Sequence, residues 1–364
     1  MHFIPEKILI QRESLQDDVT LEILKRLPGI DRKTLEASDI RQLEQDEERL
    51  MPRGEKKTLI LIRYPGNFLK SCQGSGADMC CNYYTLNCVW NCHLECTYCV
   101  LQSYLSGSAI VVGTNFLDLE REVMAALAQS PDRIFRVGTG ELGDSLALDS
   151  LTGFSGRLVS LFAQLPNGYL ELKTKSDCVS NLEGLDHRGH TIVSWSMNSE
   201  PVCRKEESRA STLEERLAAA ARCRDWGYRL GFHFDPMVYY EGWEAGYRKT
   251  VRSIFRSVDP ASVAWISLGA LRFPPHLIGE VKKRFPDSAI PYGEFVPGHH
   301  GKLRYFRPIR EEMYRKMISW IREDAPQVAV YLCMESRPVW ERSFDVADCK
   351  ASRLCRRLDD AAVG

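Results

Sequence analysis

From Thr58 onward, short apolar and β-branched runs alternate with longer stretches whose apolar positions recur every three or four residues. The runs Thr58–Tyr64, Ala109–Val112, Arg133–Gly138, Tyr169–Thr174, Thr191–Met197, Arg229–Phe234, Ser262–Leu268 and Val328–Cys333 predict strands. The helical period predicts helices over Asn115–Gln129, Leu146–Leu165 (interrupted by Gly153 and Gly156), Thr212–Trp226, Trp243–Phe255, Pro275–Phe285 and Arg310–Glu323. Thr212 is placed to cap its helix, and Asp235-Pro236 is expected to stop the strand before it. About six strand–helix alternations fall between Tyr83 and Leu268. Such alternation implies parallel strands with helices outside. An open partial barrel, a closed eight-fold barrel and a doubly wound sheet all satisfy the pattern.

Ahead of this repeat, residues 1–57 read as an N-terminal helical extension. Leu21, Ile23, Leu24 and Leu27 make one helical face, and Ile40, Leu43 and Leu50 make a thin stripe in a highly charged segment. The expected organisation is that extension, a core barrel over 58–275, and a C-terminal region over 276–364 with a hairpin at about 298–310.

Composition narrows the class without naming a function. The 364 residues are 44% hydrophobic and 27% charged, ordinary for a globular chain, and the net charge is −1. No global basic field draws in nucleic acid, so any such role needs a local patch. No secretory signal opens the chain and no run approaches the length of a membrane span. The thirteen cysteines therefore read as thiols and cluster ligands in a reducing cytosol.

Chemistry concentrates in Asn91–Tyr104, where Cys92, Cys96 and Cys99 are spaced C-x3-C-x2-C. A 4Fe–4S cube has one thiolate site per iron, so a loop supplying three leaves one iron for an exchangeable ligand. A structural zinc would usually take paired C-x2-C units or a histidine pair, and none follows at suitable distance. Cys72, Cys80, Cys81 and Cys88 match no metal template, so adventitious or buried thiols are the expected reading.

The loop resembles that of the radical S-adenosylmethionine enzymes, where the amino and carboxylate groups of S-adenosylmethionine chelate the fourth iron. Further segments resemble one branch, the spore photoproduct lyase-like family. They are Cys80–Tyr84, Cys99–Tyr104, Ser194–Asn198, Leu230–Phe232 with Asp235-Pro236, and above all Tyr240–Tyr247. The resemblance implies an α/β fold with a partial (β/α)6 barrel and a C-terminal hairpin and helical region. It implies reductive cleavage of S-adenosylmethionine to a 5′-deoxyadenosyl radical, which takes hydrogen from a thymine dimer in DNA. An external electron donor such as flavodoxin or ferredoxin is implied too. Residue by residue, it casts Cys92, Cys96 and Cys99 as cluster ligands. Gly140 and Glu141 would meet the amino group of S-adenosylmethionine, Lys175 its carboxylate, and Ser196 and Asn198 its ribose. Tyr98 falls on the hydrogen-return path.

The chain also departs from that family. Thr139 stands where the hydrogen-donor cysteine is expected, and Val100 where a second tyrosine is expected. An O–H bond is far too strong to quench a carbon radical as a thiol does, which turns attention to other thiols, Cys178 and Cys203 first. Gly298–Arg310 is a local basic stretch with aromatics, and by resemblance Lys302, Arg304, Tyr305 and Arg307 would meet DNA. Two other functions compete: the same chemistry on a non-DNA substrate, and a non-catalytic iron–sulfur protein.

Overall fold

The computed structural model describes residues 3–39, 56–72, 78–104, 108–298, 301–344 and 351–364. Ile40, Leu43, Leu50, His299, His300 and Cys349 lie outside them.

In chain order the strands are β1 (Lys7–Gln11), β2 (Asp31–Leu35), β3 (Thr58–Ile62), β4 (Leu69–Ser71), β5 (Tyr84–Leu86), β6 (Val89–Trp90), β7 (Ile110–Gly113) and β8 (Phe135–Gly138). They continue with β9 (Gly168–Thr174), β10 (Thr191–Ser196), β11 (Arg229–Met237), β12 (Val263–Ala270), β13 (Arg272–Phe273), β14 (Val296–Pro297), β15 (Leu303–Arg304) and β16 (Ala329–Leu332).

Eight strands form the main sheet in the order β16-β12-β11-β10-β9-β8-β5-β4. Apart from antiparallel β4, every pairing is parallel. Six successive strands, β5 and β8 to β12, lie side by side in chain order. A doubly wound sheet would reverse direction part-way, so this sheet is singly wound. Its edges, β4 and β16, do not pair with each other, so the curl stays open as a partial barrel. Helices cover its outer face, and β8, β10 and β12 are buried at every position, polar Arg136, Ser194 and Ser196 included.

Local chemistry sets the helix limits. Thr212 accepts from the Glu215 amide and Glu215 reaches back, a full capping box for Leu213–Asp225. Gly153 adopts φ +63° and divides the expected 146–165 helix into Asp149–Thr152 and Phe154–Phe162. β11 runs on through Asp235-Pro236 to Met237, past the expected stop. The proline lies within a register shift against β12, between Phe234 and Met237, where no ladder bond is needed from it.

The N-terminal extension holds its helix, Asp18–Arg26, between two strands that the sequence pattern did not reveal. A second sheet runs β2-β1-β3-β7-β6. Thr58–Ile62 and Ile110–Gly113 thus belong to it and not to the barrel. The cysteine loop leaves β6, three residues after barrel strand β5, and so hangs where the two sheets meet. At the other end, helix Ala351–Val363 packs against β8, β12 and β16, with Asp359 accepting from buried Arg136 at 2.8 Å.

Candidate active site

The cysteine loop occupies the C-terminal end of the barrel strands, where parallel β/α folds carry their sites. Asn91 and Glu95 both take positive φ, 77° and 47°. For a glutamate this costs about 1 kcal/mol or more, and flanking bonds hold it there. The Glu95 carboxylate is buried and receives the guanidinium groups of Arg209 and Arg284. Arg284 also donates to Gln102, whose amide reaches the Cys96 carbonyl at 3.2 Å. Lys56 donates to the Cys92 carbonyl at 2.5 Å, and Asn91 to Ala109 at 3.0 Å. Thr97 is tied to Glu206 through backbone and side chain.

Tyr98, 6% exposed, donates to Glu207. Glu207 sits in a buried network with Arg216 at 2.6 Å and Asn198 at 3.1 Å, and Asn198 accepts from Tyr247 at 2.5 Å. Arg216 further donates to the Ser196 carbonyl at 2.9 Å. Burial alone would raise the Glu207 carboxyl, but the charges of Arg216 and Lys175 outweigh it and hold it at about 2. Lys175 lies 5.8 Å from the Tyr98 ring centroid. Burial opposes its charge, yet Cys96 and Glu207 prevail and push it up to about 12.

On the other side of the mouth, the loop after β8 is pressed between two neighbours. A Cβ on Gly140 would come within 3.1 Å of the Lys173 carbonyl, and one on Gly143 within 3.1 Å of the Val89 carbonyl. Asp144 accepts from the amides of Leu146, Ala147 and Lys175 and from the Thr174 hydroxyl, fixing where Lys175 begins. Glu141 stands exposed, 3.4 Å from the Asn87 amide. Thr139 donates to the Ser145 hydroxyl at 2.7 Å.

The expected residues therefore divide into groups. Cys96, Tyr98, Lys175, Ser196 and Asn198 meet around Glu207 and Arg216, with Cys92 beside Asp144 and Lys56 and Cys99 beside Lys175 and Lys56, while Gly140 and Glu141 follow β8. Asn198 has its side chain committed to Glu207, Tyr247 and the Pro236 carbonyl, which makes it a scaffold of the pocket. Cys178 sits in the turn after β9, its amide on Ser176, and its neighbour Asp177 is bonded to Ser211. Cys203 lies buried beside Glu207. Cys72 and Cys333 stand at the mouth: Glu141 and Lys173 act on the first, and Asp235, Arg272 and Lys173 on the second. Arg272 approaches the Cys333 sulfur at 3.8 Å.

The basic stretch is a hairpin: β15 pairs antiparallel with β13 and β14, and Gly298 donates to Lys302 at 2.8 Å. Arg304, the last residue of β15, and Tyr305, just beyond the strand, both turn inward. Arg304 donates to the Met334 carbonyl at 3.0 Å, and the Tyr305 hydroxyl accepts from the Tyr239 amide at 3.0 Å. Both are buried, so neither offers a surface to DNA, whereas Arg307 and Phe306, the latter 58% exposed, face outward. The sequence reading put Tyr305 at a DNA surface, but of that adjacent aromatic pair Tyr305 is buried and Phe306 exposed. It also missed Glu206, Glu207, Arg216 and Arg284. These look like ordinary helical charges until folding brings them under the loop.

The spore photoproduct lyase family profile matches residues 3–329. The chain belongs to the spore photoproduct lyase family. Membership makes it a radical S-adenosylmethionine lyase of the DNA-repair kind, with a 4Fe–4S cluster and S-adenosylmethionine as cofactors. A spore photoproduct lyase of Geobacillus sp. (strain Y412MC61) is 24% identical over 341 residues, 90% of this chain and 98% of the relative. That of Bacillus subtilis (strain 168) is 27% identical over 265 residues, 71% and 74% of the two chains. A solved spore photoproduct lyase variant with bound AdoMet and dinucleoside spore photoproduct has the same fold. Its TM-score is 0.80 at 23% identity, covering 92% of this chain and 100% of that one.

The donor set fits such a cluster. Three thiols spread along one clamped loop suit separate irons. Burial pushes the free Cys96 thiol up to about 12, so metal binding must expel its proton. Lys56 and Lys175 supply compensating positive charge beside the thiols.

Proposed function

We propose that this lyase acts on a thymine-dimer photoproduct in DNA, with Cys92, Cys96 and Cys99 holding the cluster. When bound, the cluster and S-adenosylmethionine supply a 5′-deoxyadenosyl radical from reductive cleavage of the sulfur–carbon bond. The observation that carries the reading is the three-thiol loop clamped at the strand ends, with Lys175 and Glu141 on either side of one mouth. Lys175 would take the carboxylate of S-adenosylmethionine and Glu141 its amino group, each meeting an opposite charge. Ser196, at the end of β10, would meet the ribose, and Asn198 shapes that wall through Glu207 and Tyr247. Tyr98, held by Glu207, keeps a phenolic O–H beside the cluster loop.

Hydrogen return needs a thiol that Thr139 does not provide. Lys173, near the end of β9, acts on both Cys72 and Cys333, which makes these two thiols candidates beside Cys178. A flavodoxin- or ferredoxin-like protein is the external electron donor. No helix among the described residues is long and apolar enough to cross a membrane, and the described cysteines are all free, which agrees with a cytosolic setting.

Incubating the reconstituted enzyme with UV-damaged DNA, S-adenosylmethionine and a reductant tests the reading. The expected products are 5′-deoxyadenosine and restored thymines, identified by mass. Deoxyadenosine without repair moves the substrate to another class. No deoxyadenosine from an intact cluster defeats the enzymatic reading. The same assay on Cys72→Ala, Cys178→Ala and Cys333→Ala variants separates the thiols, because loss of the operative one lowers repair while deoxyadenosine continues to form.

For DNA contact, Lys302 and Arg307 are the outward cations of the hairpin, and exposed Phe306 is the stacking surface. Each phosphate contact contributes about 0.9 to the slope of log K against log salt. A Lys302→Ala/Arg307→Ala variant is expected to reduce the slope by about 2, measured by duplex titration at several salt concentrations. An unchanged slope removes the hairpin from the interface.

A further inference from the structure

Asn87 is the first residue after β5, and the β5–β8 register pairs Thr85 with Gly138, which sets Asn87 level with Gly140. It is 3% exposed, and its amide N–H bonds the Phe68 carbonyl at 3.0 Å. Its side-chain Nδ2 donates to Glu141 Oε2 at 3.4 Å. Its Oδ1 is buried and has no hydrogen-bond partner. Buried amide oxygens are nearly always satisfied, and an orphan in a site needs an explanation. Rotating the amide would not cure it, since that would turn the carbonyl oxygen onto the Glu141 carboxylate. The loop that carries Glu141 is pinned in place, with Asn91 donating to the Leu142 carbonyl at 2.7 Å. An unsatisfied acceptor is thus fixed beside a carboxylate at the strand ends, a pair that suits a ligand with at least two N–H groups on one nitrogen.

We propose that Asn87 is a second acceptor for the α-amino group of S-adenosylmethionine, with Oδ1 and the Glu141 carboxylate each taking one of its N–H bonds. The inference rests on reading this mouth as the S-adenosylmethionine pocket. An amino group that gives its lone pair to iron keeps two N–H bonds, which matches two acceptors. Asn87 also holds Glu141 in place through Nδ2, so its two ends act on the same group. A ligand without the amino group would leave both acceptors unpaired, which gives the site its discrimination.

The test is anaerobic equilibrium binding to the cluster-reconstituted protein, using S-adenosylmethionine and its deamino analogue. An Asn87→Leu variant keeps the bulk and removes the acceptor; Asn87→Ser is a smaller change that restores one. The leucine variant is expected to bind S-adenosylmethionine about tenfold more weakly, with affinity for the analogue unchanged. The serine variant should recover part of the loss. Equal weakening for both ligands marks a general distortion and overturns the assignment, as does wild-type affinity in the leucine variant. If leucine disturbs folding, the ratio of the two affinities in the serine variant decides, and an unchanged ratio overturns it. Failure of the wild-type holoenzyme to bind S-adenosylmethionine would overturn the parent reading and this inference with it. Normal wild-type binding with an unaltered variant overturns this inference alone.

Discussion

Replacing Cys96 by alanine is expected to leave a folded protein with less iron and S-adenosylmethionine cleavage reduced on the order of a hundredfold or more, beyond the 10–100-fold typical of losing an outer-shell partner. Cys96 is the middle thiol of the loop and is 6% exposed. Its removal leaves two thiolates where three irons require one each. The fold should survive, because the loop is held by bonds that do not involve the sulfur. Lys56 still reaches the Cys92 carbonyl, Gln102 the Cys96 carbonyl, and Arg284 the Glu95 carboxylate. A small buried side chain becoming smaller costs about 1 kcal/mol. Iron per chain, and deoxyadenosine released with dithionite as reductant, are the measurements. A variant with full iron and full cleavage would place the cluster on other cysteines.

An Arg216→Met substitution is expected to destabilise the fold by about 3–5 kcal/mol. Arg216 and Glu207 are both fully buried and 2.6 Å apart. Taking away the cation strands a carboxylate among Tyr98, Asn198 and Cys203, with Lys175 its remaining counter-charge. Denaturant midpoints give the size of the loss, and a loss under about 1 kcal/mol would mean that Lys175 or water compensates. Adding Glu207→Leu should recover much of the stability, since an apolar pair avoids the stranded charge. It should not recover the position of Tyr98, whose phenol then lacks its acceptor. Acidity tests the same pair. The folded Glu207 carboxyl titrates at about 2, below the ordinary value of about 4.3. Its contribution is therefore complete above about 4.3 and falls away as pH drops toward 2. The single Arg216→Met variant should lose that acid dependence along with the stability.

The network around Glu207 explains how a loop with two left-handed residues stays in one conformation. Each of Thr97, Tyr98 and Glu95 is bonded to a residue from another part of the chain: Glu206, Glu207, Arg209 or Arg284. The three candidate cluster cysteines lie within eight residues of one loop, but the groups that hold that loop come from the helices and loops around residues 200–225 and 277–284. A substitution in those helices can thus act on the cysteine loop without touching a cysteine.

Much of this protein is legible along the chain itself. Parallel strands buried on both faces are rich in apolar and β-branched residues, so most strands of the barrel stand out along the chain even though Glu171, Ser194 and His233 interrupt them. Capping is equally local, and Thr212 announces its helix through Glu215, three residues on. The cysteine spacing states the cluster chemistry because three ligands of one loop need no distant partner. What depends on long-range pairing was hidden. Lys7–Gln11 and Asp31–Leu35 are strands because β3 and β1 offer them an edge, and the second is exposed at four of its five positions, so no apolar run marks it. Arg304 and Tyr305 face inward because the hairpin packs on Glu335 and Tyr239, a choice of face that the basic, aromatic pattern leaves open. Sequence alone therefore marked barrel strands β8 to β12 and β16 and pointed to three candidate cluster thiols, because those signals are short-range; it passed over β5 and counted β3 and β7 of the second sheet with the barrel. The tertiary structure decided which charges lie beneath the cluster loop, which thiols reach the mouth and which side of the hairpin meets solvent. Each of those depends on residues far apart in the chain being brought within a few ångströms, and burial changes the energy of a charge far more than its place in the sequence does.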